Sequence, residues 1–361
     1  MQEAKHLVIA AAGTGGHVMP GLAVAAEMRA RGWRVSWIGT TTGMEAGLVA
    51  KHGIDFYALD FQGVRGKGWL GAVKGGLKLV KSAFSARALL KRLRADAVFS
   101  TGGYVAVPVG WAAKRAGCAL VLMNCDADLL MSTRAILKYA DALACGFAGG
   151  ARSFAGPKGH TTGNPVRADI VALPDPQTRL GQRTGPLRIF VFGGSLGAQV
   201  LNDVVPQAVA SLPAASRPTV LHQTGRGRDA AVAARYRELG VEARVQPFID
   251  DMAHEYEQSD LVICRAGATS VSELCAAGAA AVLVPFVAKT TAHQSGNAKF
   301  MVSHEAAVLL PQEACTPEAL AQLLGTMTRE RAAVLARNAR ALAKPDAARE
   351  VADLIEAKVR D

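Results

Sequence analysis

Short unbroken apolar runs alternate along this chain with longer stretches in which apolar residues return every three or four positions. The runs predict strands at Leu7–Ala11, Val35–Ile38, Ala97–Ser100, Leu120–Met123, Ile189–Phe192, Val220–His222, Leu261–Cys264 and Ala281–Val284. The periodic stretches predict amphipathic helices, among them Ala23–Arg31, Gln199–Ala210 and Ser270–Ala277. A strand that is apolar on both faces must be covered on both faces. The pattern therefore predicts an α/β chain with parallel sheets between helical layers.

Glycine punctuates this alternation where strands pass into helices. Ala12-Gly13-Thr14-Gly15-Gly16-His17 follows the first strand, and Gly193-Gly194-Ser195-Leu196-Gly197 follows the run at Arg188–Phe192. Such a turn at a helix N-terminus points backbone N–H groups outward, where the helix dipole also favours an anion. Two of them, one domain apart, predict two nucleotide-type folds. Gly102-Gly103, after Ser100-Thr101, is either a further phosphate contact or an ordinary strand-to-helix turn. The chain has 361 residues, enough for two domains. Breakers at Thr162-Gly163-Asn164-Pro165-Val166 divide them into 1–164 and 165–344. A final helix, Ala347–Lys358, lies in a segment 345–361 expected to pack back on the first domain.

Composition adds a sign. The formal net charge is +11, with half the residues hydrophobic, so anionic partners are expected. Residues 65–94 hold nine basic residues and no acid: Arg65, Lys67, Lys74, Lys78, Lys81, Arg87, Lys91, Arg92 and Arg94. Trp69, Leu70, Val73, Leu77, Val80 and Phe84 lie between them. This stretch fits an anionic membrane interface or a solvated helix face with its core stripe. Few aromatics and no recognition motif argue against nucleic acid. The six cysteines form no C-x-x-C pair and read as buried free thiols. No signal peptide or membrane-spanning run is evident.

Several residues carry candidate chemistry. His17 opens a helix, where the dipole lowers an imidazole pKa; it is either a general base or a capping side chain that closes the loop. A dinucleotide site would show G-x-G-x-x-G and an acidic end to the second strand, but Val18 stands at the third glycine and the strand ends Trp37-Ile38-Gly39-Thr40. In Cys264-Arg265-Ala266-Gly267-Ala268-Thr269-Ser270-Val271-Ser272-Glu273, Glu273 falls early in a helix, as a ribose-binding or a capping carboxylate. His293-Gln294-Ser295-Gly296-Asn297 is a polar helix entry suited to sugar hydroxyls. Asp126-Ala127-Asp128 matches a three-letter metal–diphosphate motif that recurs by chance, and no metal site is expected.

Taken in order, GTGGHVMPGLAVA from Gly13, TGGYVAVP from Thr101, GNPVR from Gly163, FGGSLGAQVLN from Phe192, HQTG from His222, FIDDM from Phe248, CRAGATSVSE from Cys264 and HQSGNA from His293 resemble the MurG family of bacterial N-acetylglucosaminyltransferases. The likeness spans nearly the whole chain. It implies a GT-B fold, two Rossmann-like domains with parallel sheets facing across a cleft. It implies an inverting transfer of GlcNAc from UDP-GlcNAc to the muramyl 4-hydroxyl of undecaprenyl-diphosphate-linked muramyl pentapeptide (lipid I), giving lipid II for peptidoglycan. No cofactor is implied. The implied place is the cytoplasmic face of the bacterial inner membrane, as a peripheral protein, with cell-wall synthesis and division proteins as partners.

The same resemblance implies site residues. Thr14, Gly15 and Gly16 would bind substrate in the first turn, and His17 would be the base. Ile249 would meet uracil through its backbone. Ala268, Thr269, Ser270, Val271, Ser272 and Glu273 would line the uridine and ribose, and Gln294 would touch the donor sugar. Ser195 and Arg167 would lie near its phosphates, and Asn202 and Tyr104 match further motif positions. Three places depart from the family pattern. Ala12 replaces a glycine, Leu196 a glutamine, and Met123-Asn124-Cys125-Asp126 a His-Glu-Gln-Asn, so that Asp126, a substrate-binding residue by the resemblance, stands at the donor-contacting asparagine and would be the carboxylate to take the place of the lost glutamate two residues before it. The alternatives are another GT-B enzyme, such as a UDP-sugar epimerase or glycolipid synthase, and a UDP-GlcNAc-binding protein without turnover.

Overall fold

The computed structural model describes residues 4–13, 15–41, 43, 45–61, 68–194, 196–286 and 293–359, and of 68–74 the backbone alone. The chain forms two compact units, Met1–Arg167 with Pro345–Asp361, and Ala168–Lys344.

In the first unit β1 (His6–Ala11), α1 (Gly15–Ala30), β2 (Arg34–Thr40), α2 (Glu45–Lys51), β3 (Asp55–Leu59), α3 (Gly68–Leu93), β4 (Ala97–Gly102), α4 (Ala106–Ala116), β5 (Ala119–Asn124), α5 (Met131–Ile136), β6 (Ala142–Cys145), α6 (Gly150–Ala155) and β7 (Gly159–Thr161) succeed one another. The strands form one parallel sheet in the order β3-β2-β1-β4-β5-β6-β7. The second unit repeats the plan. After α7 (Ala168–Val171) and α8 (Pro176–Gly181) come β8 (Arg188–Phe192), α9 (Gln199–Ala210), β9 (Thr219–Gln223), α10 (Asp229–Glu238), β10 (Ala243–Gln246), α11 (Met252–Gln258), β11 (Leu261–Cys264), α12 (Ala268–Ala277), β12 (Ala281–Leu283), α13 (His293–Val302), β13 (Ala307–Leu309), α14 (Pro317–Gly325) and α15 (Arg329–Ala341). Its parallel sheet runs β10-β9-β8-β11-β12-β13.

Each order reverses once, at β1/β4 and at β8/β11. Beyond the carboxyl ends of the strands at such a reversal, loops diverge and leave a crevice, the usual ligand site of an open α/β sheet. Both glycine turns lie there. The central strands are unbroken apolar runs because they are buried on both faces: every residue from Leu7 to Ala11, and from Leu261 to Cys264, is fully covered.

The last helix, α16 (Ala347–Glu356), belongs to the first unit and packs on α1. Arg31 fastens it, donating from Nη1 to Asp353 and to Glu356 at 2.7 Å each, while Trp33 Nε1 donates to Glu356 at 3.0 Å. Part of the positive charge is used inside the second unit rather than on a surface. The Arg179 guanidinium donates to the carbonyls of Tyr256 (2.9 Å), Ala277 (2.5 Å) and Gly278 (2.9 Å), and Arg340 to those of Ala276 and Leu173. Apart from Leu173, which lies just past α7, these carbonyls are at the C-terminal ends of α11 and α12, where unpaired carbonyls and the dipole both favour a cation.

All six cysteines are buried and free of disulfides. Five strands escape the apolar-run signal. β3 and β10 are edge strands made mostly of exposed and half-buried positions, and β7 and β13 are three residues long. β6 is four small or aliphatic residues, Ala-Leu-Ala-Cys. Val284 lies beyond β12, and the first helix begins at Gly15 instead of Ala23, carrying Pro20 inside it.

Candidate functional site

In the first unit the site is built at the β1/β4 reversal. The ladder between these strands slips there: Ala10 pairs with Ser100, but Ala11 with Gly102, so Thr101 is extruded. A bulge of this kind re-aims the residue it ejects. Thr101 turns towards α1 and grips it twice. Its Oγ1 donates to the His17 carbonyl at 2.7 Å, and its own carbonyl lies 2.8 Å from His17 Nδ1. A carbonyl only accepts, so Nδ1 carries the proton and the neutral ring has its lone pair on Nε2. Burial holds the His17 pKa below 6.5, against the opposing effects of the Thr101 bond and the field of Asp126.

The glycines make this contact possible. Gly102 has φ +111°, and a Cβ there would sit 3.1 Å from the His17 ring. A Cβ on Gly103, at φ +81°, would fall 2.0 Å from the Ala12 carbonyl oxygen. The second glycine pair therefore packs on the first turn. Gly15 and Gly16 open α1 beside it.

Two polar residues brace this end of the sheet. Asn124, fully buried at the end of β5, donates from Nδ2 to the carbonyls of Asp126 (2.7 Å) and Asp128 (2.9 Å) and accepts from Leu130 N–H at 2.9 Å. It organises the loop that carries Asp126. Glu45, also fully buried, accepts at Oε1 from Thr40 N–H and Oγ1–H at 2.7 Å each, and at Oε2 from Gly13 N–H at 3.4 Å. It links α2 to the first glycine turn. Pattern reading missed Glu45, and its only sequence signal is an acid at a helix start.

In the second unit the turn after β8 is equally crowded. A Cβ on Gly193 would meet Ala198 N at 2.2 Å, and one on Gly197, at φ +70°, the Thr224 oxygen at 1.9 Å. Beneath it runs a buried relay in which Tyr236 O–H and His222 Nδ1 are 3.0 Å apart, His222 Nε2 and Asn202 Oδ1 3.1 Å, and Asn202 Nδ2 donates to the Thr224 carbonyl at 3.1 Å. Because that amide donates, its Oδ1 faces His222 and accepts from Nε2–H. Tyr236 must then donate to Nδ1. Burial drives the His222 pKa down to about 3, consistent with a neutral ring. Asn202 thus supports the glycine turn from below, while Tyr104 in the first unit is half exposed.

α12 starts at Ala268 under Gly267, which supplies no side-chain cap. Val271 is fully buried, and Ser272 Oγ donates back to the Ala268 carbonyl at 2.9 Å. Glu273, in the second turn of the helix, is nearly covered and accepts at Oε2 from Tyr256 O–H at 3.1 Å. Ile249 is buried just before α11. Gln294 Oε1 accepts from Phe286 N–H at 2.7 Å, tying the start of α13 to the end of the β12 segment.

The structure thus brings Gly15, Gly16, His17 and Asp126 to one end of the first unit's sheet. It brings Ile249, Ala268, Thr269, Ser270, Val271, Ser272, Glu273 and Gln294 to the matching end of the second. Arg167 is the last residue of the first unit's main segment. Thr14 and Ser195 lie outside the described residues, as do Arg65 and Lys67 and the side chains of Trp69, Leu70, Val73 and Lys74. Among the described residues no cluster of three His, Cys, Asp or Glu side chains is arranged to hold a metal ion, and Asn124 takes the main-chain carbonyls of Asp126 and Asp128.

Comparison with known proteins agrees across both units. The model of the glycosyltransferase family 28 N-terminal domain matches residues 7–145, and that of the family's C-terminal domain matches 188–356. The UDP-N-acetylglucosamine–N-acetylmuramyl-(pentapeptide) pyrophosphoryl-undecaprenol N-acetylglucosamine transferase of Methylibium petroleiphilum is 51% identical, over 99% of this chain and 98% of its own length. The transferase of the same name from Chromobacterium violaceum is 50% identical over 97% of both. The crystal structure of MurG from Acinetobacter baumannii superposes with a TM-score of 0.81 at 38% identity, covering 98% of this chain and 99% of that one. A UDP-GlcNAc 2-epimerase from Neisseria meningitidis, 12% identical with a TM-score of 0.68, shares the fold alone.

Proposed function

Because the chain belongs to glycosyltransferase family 28, we propose that it performs the reaction its full-length relatives are named for. It moves N-acetylglucosamine from UDP-GlcNAc to the 4-hydroxyl of the muramyl pentapeptide carried on undecaprenyl diphosphate. The acceptor oxygen attacks the anomeric carbon from the face opposite UDP. The bond from that carbon to the diphosphate oxygen breaks, UDP leaves with the electron pair, and the new linkage is β-1,4. The acceptor proton passes to His17 Nε2.

One observation carries this reading: the bond from His17 Nδ1–H to the Thr101 carbonyl, which leaves Nε2 as the acceptor nitrogen at the sheet's switch point. A neutral imidazole of lowered pKa is already unprotonated at pH 7 and can take a proton as the hydroxyl attacks. The glycine turn beside it, with Thr14, Gly15 and Gly16, suits the acceptor's diphosphate. On the donor side, Ser195 and Arg167 near the phosphates, Ile249 at uracil, residues 268–273 at the uridine and Gln294 at the sugar fit the leaving nucleotide. Backbone donors fixed before reaction stabilise the developing diphosphate charge without reorganising.

The acceptor is a lipid, and α3 offers a face to meet it at the membrane surface. Leu77, Val80 and Phe84 are more than half exposed, spaced to share one side of the helix, with exposed Lys78 and Lys81 among them. Among the described residues no helix is long and apolar enough to cross a membrane. A peripheral seat on the cytoplasmic face of the inner membrane, with docking of wall-synthesis or division proteins, is consistent with this surface.

The deciding experiment is a transfer assay with UDP-GlcNAc and a short-chain analogue of the muramyl lipid, followed by linkage analysis. A β-1,4-linked GlcNAc–muramyl product is expected. Consumption of UDP-GlcNAc without acceptor, or binding without turnover, overturns the proposal.

A further inference from the structure

Tyr256 is fully buried in the second unit, yet its phenol is aimed at a carboxylate rather than at water. Its ring stands edge-on to Phe190 and Phe192, with centroids 6.0 and 6.1 Å away. Its hydroxyl donates to Glu273 Oε2 at 3.1 Å. The two residues come from different helices, α11 and α12, and one guanidinium ties both together. Arg179 donates to the main-chain carbonyl of Tyr256 itself and to those of Ala277 and Gly278 at the end of α12. The relative position of phenol and carboxylate is thus set by backbone anchors on both sides. α11 also begins three residues after Ile249, so the helix that carries Tyr256 starts beside the proposed uracil contact.

We propose that Tyr256 is a positioning residue for nucleoside recognition: by occupying Oε2 of Glu273 it orients the carboxylate so that Oε1 receives a ribose hydroxyl. The inference rests on the reading of Glu273 as the ribose-binding carboxylate. A hydroxyl bonded to one carboxylate oxygen restrains rotation of the group about its last bond and sets the direction in which the other oxygen points. A phenol clamped by two aromatic rings is a rigid donor for that purpose.

The test compares affinities for UDP and for 2′,3′-dideoxy-UDP, in the full chain and in Tyr256→Phe, Glu273→Gln and Phe190→Leu. The parent should prefer UDP by roughly tenfold or more, the scale of a hydrogen bond to a charged group. Glu273→Gln should collapse that ratio. Tyr256→Phe, which keeps the ring and its packing, should narrow it several-fold and raise KM for UDP-GlcNAc while kcat stays within about twofold. Phe190→Leu, which loosens the same packing without touching the hydroxyl, should weaken both ligands alike. If Tyr256→Phe also weakens both ligands alike, the phenol only fills the core and the inference falls. If Glu273→Gln leaves the ratio unchanged, the ribose reading itself falls and takes the inference with it.

Discussion

The imidazole of His17 and the carbonyl of Thr101, residues far apart in sequence, meet at 2.8 Å across the switch point of the first sheet. The contact fixes a tautomer and so names Nε2 as the nitrogen that can take a proton. His17→Ala should lower kcat by about 10²- to 10⁴-fold, the usual contribution of a positioned base. With UDP assigned to the second unit as proposed, its affinity should stay unchanged. Steady-state kinetics with calorimetric UDP binding checks both, and an unaltered kcat removes His17 from the mechanism.

The pH dependence follows from the same environment. Desolvation places the His17 pKa below 6.5, so the base form predominates at pH 7 and the acid limb of kcat lies below pH 6.5. Asp126 opposes this shift through its negative field. Asp126→Asn should therefore move the acid limb further towards acid and not towards neutrality. A limb that stays in place would separate Asp126 from the base.

His222 gives a prediction about stability. Its pKa is about 3 in the folded chain and 6.5 in an unfolded one, so below pH 6.5 the unfolded state binds the extra proton. Stability should then fall as the pH drops from 6.5 towards 3, by up to about 1.4 kcal/mol per pH unit from this group alone. Urea melts at pH 7 and pH 5 should show a smaller loss in His222→Phe than in the parent, although that variant is less stable at both.

Asn124 occupies the position where the resemblance leads one to expect a glutamate. Its amide donates to two main-chain carbonyls in a fully buried setting, which an ionised carboxylate cannot do. Asn124→Asp should cost about 2–4 kcal/mol, from two stranded carbonyls and a buried charge, and should lower kcat by loosening the Asp126 loop. Denaturant unfolding and kinetics of the same variant test both effects.

What the sequence made legible was whatever depends on local pattern. Unbroken apolar runs marked the central strands because those strands are covered on both faces, and glycines marked the turns because Gly13 and Gly102, both at φ +111°, hold angles that other residues rarely adopt. Edge strands such as β10, with Arg244 exposed in its middle, carry no such run. The bracing contacts were invisible for a different reason. Glu45 meets Gly13 and Thr40, Asn202 meets His222, and Tyr256 meets Glu273 only once the sheet has formed. No spacing in the chain encodes those meetings.

The α3 face yields the last prediction. Leu77, Val80 and Phe84 are 68, 54 and 57% exposed, an unusual display of apolar surface for one side of a helix, and Phe84 stacks edge-on to Trp111 at 5.6 Å. If this face rests on a bilayer, apolar insertion and attraction of the lysines to anionic headgroups act together, each basic residue contributing about 1 kcal/mol near such a surface. Lys78→Glu with Lys81→Glu should then cut sedimentation with anionic vesicles by at least about tenfold, with a weaker salt dependence than in the parent. Leu77→Ser with Phe84→Ser should cut it on anionic and neutral vesicles alike. Both double variants should keep full activity on a water-soluble, short-chain acceptor, since neither touches the switch-point residues. Undiminished sedimentation of both would move the membrane contact to another face of the chain.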